Sequence, residues 1–184
     1  MVSASPHDPY AAPAAAVIEA ETDLAIERAA GVHDRHPQLA RAVGDNFGLY
    51  ARRWHLDAAT GRWPRPWHWP AFLFDVFWLL YRRLYLAAAL MLVLEFGVGA
   101  AVAFSWVGEN GSLVLLIGTK VLQGLSANAL YLWHCRRLVA RTQARYRDQP
   151  ARIAAELDRR GGVSKMALGL GFVLYVGIRV LAGD

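Results

Sequence analysis

Only one cysteine, Cys135, occurs among the 184 residues. A single thiol excludes an intramolecular disulfide and a cysteine-built zinc site. Charge is also sparse. Asp, Glu, Lys and Arg make up 19% of the chain while 55% is hydrophobic, against about 25% charged in ordinary soluble domains. Lysine is scarce within that small set, so the net charge of +5 rests almost wholly on arginine. No nucleophile elbow, P-loop or dinucleotide fingerprint is present. The six histidines show no H-E-x-x-H spacing, and His33 and His36 have no clustered ligands beside them. No catalytic, cofactor-binding or metal-ligating residue is therefore expected, and the chain does not read as an enzyme. The composition also excludes a collagen, a coiled coil and wholesale disorder.

What is present is an apolar excess concentrated after Pro70. Before it, residues 1–16 are Ala- and Pro-rich, with neither a basic n-region nor an apolar h-region. They are expected to form a disordered tail rather than a cleavable signal peptide. From Ala15 to Ala30 a helix is expected, with Glu19, Asp23 and Glu27 as an acidic stripe opposite a weak apolar side. A second helix is expected from Pro37 to Val43, with Pro37 in its first turn and Gly44 ending it. Asp45 is placed to cap a third. There Phe47, Tyr50, Ala51 and Trp54 share one face, away from Arg52 and Arg53. Two readings stay open for that face: a membrane interface, or the core of a small cytosolic helical subdomain. Residues 17–62 thus make a cytosolic helical region.

Residues 63–83 form an aromatic segment. Trp63, Trp67 and Trp69 lie in a Gly- and Pro-broken stretch, and Phe72, Phe77, Trp78 and Tyr81 follow in the apolar run Ala71–Tyr81. Indole rings favour the headgroup level of a bilayer. The run is too short to span, since about 20 residues are needed, and Arg82 and Arg83 end it. It is expected to lie in the interface or to re-enter the membrane. Asp75, Leu79 and Arg82 fall on one side of such a helix, which would align Asp75 with Arg82.

Residues 84–182 read as a membrane domain. Spans are expected at 84–107, 113–133 and 166–182, with a tight polar turn at Gly108–Ser112 and a basic cytoplasmic loop at 134–165. Arg179 can snorkel outward from the last span. The turn between the first two spans carries no Lys or Arg, while both flanking regions are rich in arginine. The positive-inside rule then predicts a cytoplasmic N-terminus and a periplasmic C-terminus. The fold expected is all-α: a multi-pass membrane protein with three transmembrane helices, an interfacial or re-entrant aromatic helix, and a cytosolic helical N-terminal region.

Three motifs carry a family resemblance. The first holds Gly44, Asn46, Tyr50 and Trp54. The second holds Trp67, Trp69, Ala71, Phe72, Phe74, Phe77, Trp78, Tyr81, Arg82 and Tyr85. The third holds Gly124, Asn128 and Tyr131. Together they cover about half the chain, and it resembles a bacterial family of small inner-membrane proteins of unknown function. Where that family has Gly-Pro, this chain has Asp75–Val76. The resemblance implies an inner-membrane location and carries no established activity.

Inside the spans, Glu95 and Lys120 are the unusual residues, because ionisable groups at mid-membrane are costly. Counting about 1.5 Å per residue from the outer turn puts them at reachable depths, so they are expected to pair. With Gln123 and Asn128 they make either a proton or ion relay, or a structural ion pair and hydrogen bonds within a three-helix bundle. Gly97/Ala101, Gly99/Ala103 and Ala167/Gly171 form small-xxx-small pairs that serve packing within one chain or between chains. The arginines of the 134–165 segment point to topology and to anionic lipid headgroups. Nucleic acid is not expected, since no recognition motif accompanies the charge. The expected partners are the lipid bilayer and a second copy or another membrane protein. The leading function is a non-enzymatic accessory or scaffold protein; the alternative is a small oligomeric channel or transporter subunit using Glu95 and Lys120.

Overall fold

The computed structural model describes residues 31–56, 67–106 and 108–182, and no strand occurs among them. The expected tail, the helix of Ala15–Ala30 and Trp63 lie outside the described residues. The described elements are α1 (Pro37–Val43), a 3-10 turn (Gly44–Asn46), α2 (Phe47–Arg53), α3 (Trp69–Tyr81), α4 (Tyr85–Ala103), α5 (Glu109–Arg145), α6 (Pro150–Arg160) and α7 (Lys165–Ala182).

α1 has the bounds its proline and glycine dictate. Pro37 presets φ in the first turn, and Gly44 leaves the helix at φ 74°, a conformation that favours glycine. Asp45 does not cap α2. It sits inside the 3-10 turn, and Asn46 occupies the cap position with no side-chain bond. Asn46 holds φ −87° and ψ 10° rather than the extended backbone from which a capping side chain reaches back. Phe47, Tyr50, Ala51 and Trp54 are all buried, together with Leu39, Ala40, Ala42 and Val43. Of the two open readings, the aromatic face is a core.

α3 is the hub of the structure. It packs against α4, α5 and α7. Pro70 lies in its first turn, and the His68 side chain caps it by accepting the Ala71 N–H at 3.1 Å. At Asp75 the backbone leaves the helix (φ 48°, ψ −122°) and then resumes it. The register against α5 shows the result. The His68 N–H donates to the Gly124 carbonyl, Asp75 meets Lys120, and Arg82 reaches Tyr131. Along α5, Gly124 and Tyr131 lie about 6 and 16 Å from Lys120, both toward the helix C-terminus. The chain therefore runs toward Lys120 and comes back. The helix is thus broken and doubled back against α5 rather than one straight rod. The aromatics expected at the interface differ in how far the chain itself covers them. Trp78 is buried in the core, Trp67, Phe72, Phe77 and Tyr81 are partly covered, and Trp69 stays exposed. Trp67 and Phe72 stack over Gly124, where even a methyl group would meet Phe72 Cβ at 3.1 Å. Phe77 rests on Phe172 and Tyr175 of α7.

Three helices are long and apolar enough to cross a membrane; they include α4 and α5, and the third reaches Ile178. The polar stretch from His134 is not a loop. α5 is one helix of 37 residues that continues through it to Arg145, and α6 follows as a separate amphipathic helix. Arg, Ala and Gln sustain a helix as well as Leu does, so the change in polarity after Trp133 does not end the backbone ladder. α6 buries Ile153 and Leu157. It is held to α1 by Arg41–Asp158 at 2.8 Å and by the Gly162 N–H donating to the Ala42 carbonyl. The small residues divide. Gly171 packs on Leu80, whereas Gly97 and Gly99 have no neighbour on the side where a Cβ would project.

Candidate functional site

The three resemblance motifs converge on one buried centre. Tyr50 comes from α2, His68 and Arg82 from the two ends of α3, and Tyr131 from α5. His68 is 2% exposed. Its Nδ1 accepts from Ala71 N–H, so the neutral ring carries its proton on Nε2 and donates it to the Tyr50 hydroxyl at 3.1 Å. Burial, helped by the charges of Arg53 and Arg82, pushes His68 down to about 4. Burial likewise raises the Tyr50 hydroxyl above its usual value. Trp54 Nε1 donates to the Asn128 carbonyl at 3.1 Å, and Asn128 Nδ2 donates to the Trp67 carbonyl. The Arg82 guanidinium lies 4.7 Å from the Tyr50 ring centre and 5.1 Å from that of Tyr131. Among the described residues no carboxylate pairs with it, so aromatic faces supply its stabilisation. The arrangement ties the N-terminal cap, both ends of the broken helix and α5 into one unit. Its groups are held by each other.

A second constellation sits at the bend. Asp75 is 6% exposed, and its Oδ2 receives the Lys120 ammonium at 2.6 Å. Among the described residues Oδ1 has no hydrogen-bond partner. Glu95, from α4, is half-buried and interacts with both Asp75 and Lys120. The expected Glu95–Lys120 pair is thus a three-membered cluster in which Asp75 holds the lysine. Helical spacing aligned Asp75 with Arg82, but the break at Asp75 turns its side chain to α5. Gln123, one turn beyond Lys120, is buried, and among the described residues neither amide atom has a hydrogen-bond partner. Asn128 belongs instead to the aromatic centre. With both carboxyls ionised the cluster carries one net negative charge, and one added proton makes it neutral. Among the described residues no group of three or more His, Cys, Asp or Glu is placed to hold a metal ion.

Asp75 also explains the departure from the resemblance pattern. Its φ and ψ are those a glycine adopts without strain, and glycine is what the pattern has there. Here an aspartate takes the same bend and adds a carboxylate to it. Sequence reading paired this residue with Arg82 and so missed it as the partner of Lys120, because helical spacing takes no account of the break.

No curated protein and no solved structure matches the chain. A family model described as "Protein of unknown function (DUF2628)" matches residues 18–137, and the chain belongs to that family.

Proposed function

We propose that this chain is a multi-pass protein of the bacterial inner membrane that acts as a non-enzymatic accessory or scaffold through helix contacts, its N-terminus cytoplasmic and its C-terminus periplasmic. One observation carries the reading. Leu86, Leu90, Val93 and Phe96 on α4, Val114, Ile117 and Leu122 on α5, and Leu170, Val173 and Val180 on α7 are all more than half exposed. Soluble monomers rarely present contiguous apolar patches above a few hundred Å². Lipid would cover this belt, and the arginines gathered past Trp133 favour the cytoplasmic side for that end. The scaffold role draws support from the buried centre, which is built to hold elements together. It also draws on Gly97 and Gly99, whose open side would let a helix of a second copy or another membrane protein approach closely. Crosslinking in native membranes, followed by identification of the captured proteins, tests the role. Capture of nothing but lipid and bystanders through a cysteine at Gly97 would count against it. Reporter fusions at Asp184 test the orientation, and activity only in the cytoplasm would reverse it.

The Asp75–Glu95–Lys120 cluster favours a second reading, an oligomeric channel or transporter subunit. Discontinuous helices with charged residues at the break are a recurring way to build ion sites in membranes. Ion or proton flux into proteoliposomes that Glu95→Gln abolishes would select it over the scaffold.

A further inference from the structure

A cleft of about 490 Å³ opens between α5, α6 and the turn from α3 to α4. Six guanidinium groups line it. Arg137, Arg141 and Arg145 recur every fourth residue on α5 and so share one face. Arg83 stands in the α3–α4 turn, and Arg159 and Arg160 end α6. The one carboxylate in the lining, Glu156, is already taken by Arg159 and Arg160. Arg83 is tied to the carbonyls of Arg159 (2.6 Å) and Val163 (3.4 Å). Among the described residues, Arg137, Arg141 and Arg145 have no ion-pair partner. Like charges at this spacing weaken a helix by a few tenths of a kcal/mol per pair; Arg137 and Arg145 lie over the rings of Trp133 and Tyr146, but among the described residues no anion faces the row.

The position of the cleft narrows which anion would suit it. Tyr85, which lines it, is the first residue of α4, and the exposed apolar belt starts at the next residue, Leu86. Arg137 lies over the half-exposed ring of Trp133, 4.9 Å from its centre. An anion in the cleft is therefore next to the apolar surface of α4. We propose that this cleft binds the phosphate headgroup of an anionic phospholipid, with the acyl chains lying along α4. Planar guanidiniums suit phosphate oxygens, and basic pockets between helices at the cytoplasmic side are suited to such headgroups. The volume lies within the range of small-molecule sites. The ligand's supply rests on the membrane reading given above.

The test uses the full chain, purified in a non-ionic detergent, with bound lipid counted by native mass spectrometry. Phosphatidylglycerol is titrated against phosphatidylcholine of the same chain length. Tighter binding of phosphatidylglycerol is expected, together with its loss by about tenfold or more in Arg141→Gln/Arg145→Gln, since charge-assisted contacts are the strong ones. Arg147→Gln/Arg152→Gln removes the same charge from outside the cleft and should leave the preference intact. If the first double variant does not fold, Arg141→Gln alone is read the same way. Equal loss in both double variants, or no preference for the anionic lipid, overturns the site. Displacement of the lipid by millimolar inorganic phosphate would assign the cleft to soluble phosphates and overturn the lipid. Because no bilayer enters the titration, its failure leaves the membrane reading standing, and a reversed topology leaves the titration interpretable.

Discussion

Asp75→Asn keeps the shape of the side chain at the bend and removes the charge that holds Lys120, 2.6 Å away. Removing one partner of a fully buried pair costs about 3–5 kcal/mol. Asp75 is buried, but the Lys120 side chain is 39% exposed, which lowers the figure to about 1–2 kcal/mol. Glu95 lowers it further, because it stands ready as a substitute anion. Asp75→Asn and Glu95→Gln should each be mild alone. Together they strand the ammonium, and the double variant should be less stable than the sum of the singles by at least about 1 kcal/mol. Reversible unfolding of the detergent-solubilised protein reads this directly, and adding Lys120→Met should recover stability in the double variant. Additivity within about 0.5 kcal/mol would refute the three-membered cluster. A silent Asp75→Asn beside a large Glu95→Gln effect would show that Lys120 pairs across the helices with Glu95 alone. With Glu95→Gln and Lys120→Met in place, Asp75→Gly should be more stable than Asp75→Asn by about 1 kcal/mol or more through relief of the strained backbone.

Gly124→Ala brings a methyl within 3.1 Å of Phe72 Cβ and 3.3 Å of the Trp67 ring, and a loss of about 1–2 kcal/mol is expected from overpacking, measured by thermal unfolding. Gly161→Ala meets backbone oxygens of Ala42 and Leu157 at 2.6 Å and should cost more, about 3 kcal/mol; Gly171→Ala meets only the tip of Leu80 and should cost less than either. His68 is held near 4 in the fold against 6.5 when unfolded. The unfolded chain thus binds the proton first, so stability is full above about pH 6.5 and declines as pH falls toward 4, by about 1–2 kcal/mol after allowance for solvent screening. A flat stability profile over that window, or the same decline in His68→Gln, would contradict the assignment. Cysteines placed singly at Pro66 and Arg83 should label from the same side of the membrane, and labelling from opposite sides would show that α3 crosses.

How much of this was legible in the sequence differs by element. Long apolar runs and punctuation were readable: α1 begins at Pro37 and ends at Gly44, and α4, α5 and α7 overlie the three runs expected to span. Hydropathy misled where it was used to end a helix, because the i→i−4 ladder of α5 continues through arginines that lipid would refuse. Aromatic residues misled in the other direction. Trp78 carries the same local signal as an interfacial tryptophan, and only the doubling back of α3 places it beside Tyr131 and His68. The partner of Lys120 was not legible at all. It depends on a rotation at Asp75, and a periodicity argument assumes that no such rotation occurs. Tyr50, Trp54, Trp67, Trp78, Arg82, Asn128 and Tyr131 of the resemblance motifs proved to be neighbours, and that packing accounts for their spacing.

α5 has a consequence for how the two ends of the molecule communicate. A helix of 37 residues is about 55 Å long, well beyond the thickness of a bilayer's hydrocarbon core. It carries Lys120 on its apolar part and, about 17 to 25 residues further, the arginine row of the cleft and the contact of Gln143 with Gln38 on α1. A rigid rod of that kind is a lever. A tilt of about 5° about the level of Lys120 moves Arg145 by roughly 3 Å, enough to make or break a contact with a phosphate. The helix is unbroken from Lys120 to Arg145, so a tilt set at the bend of α3 would be carried to the arginine row along one backbone ladder.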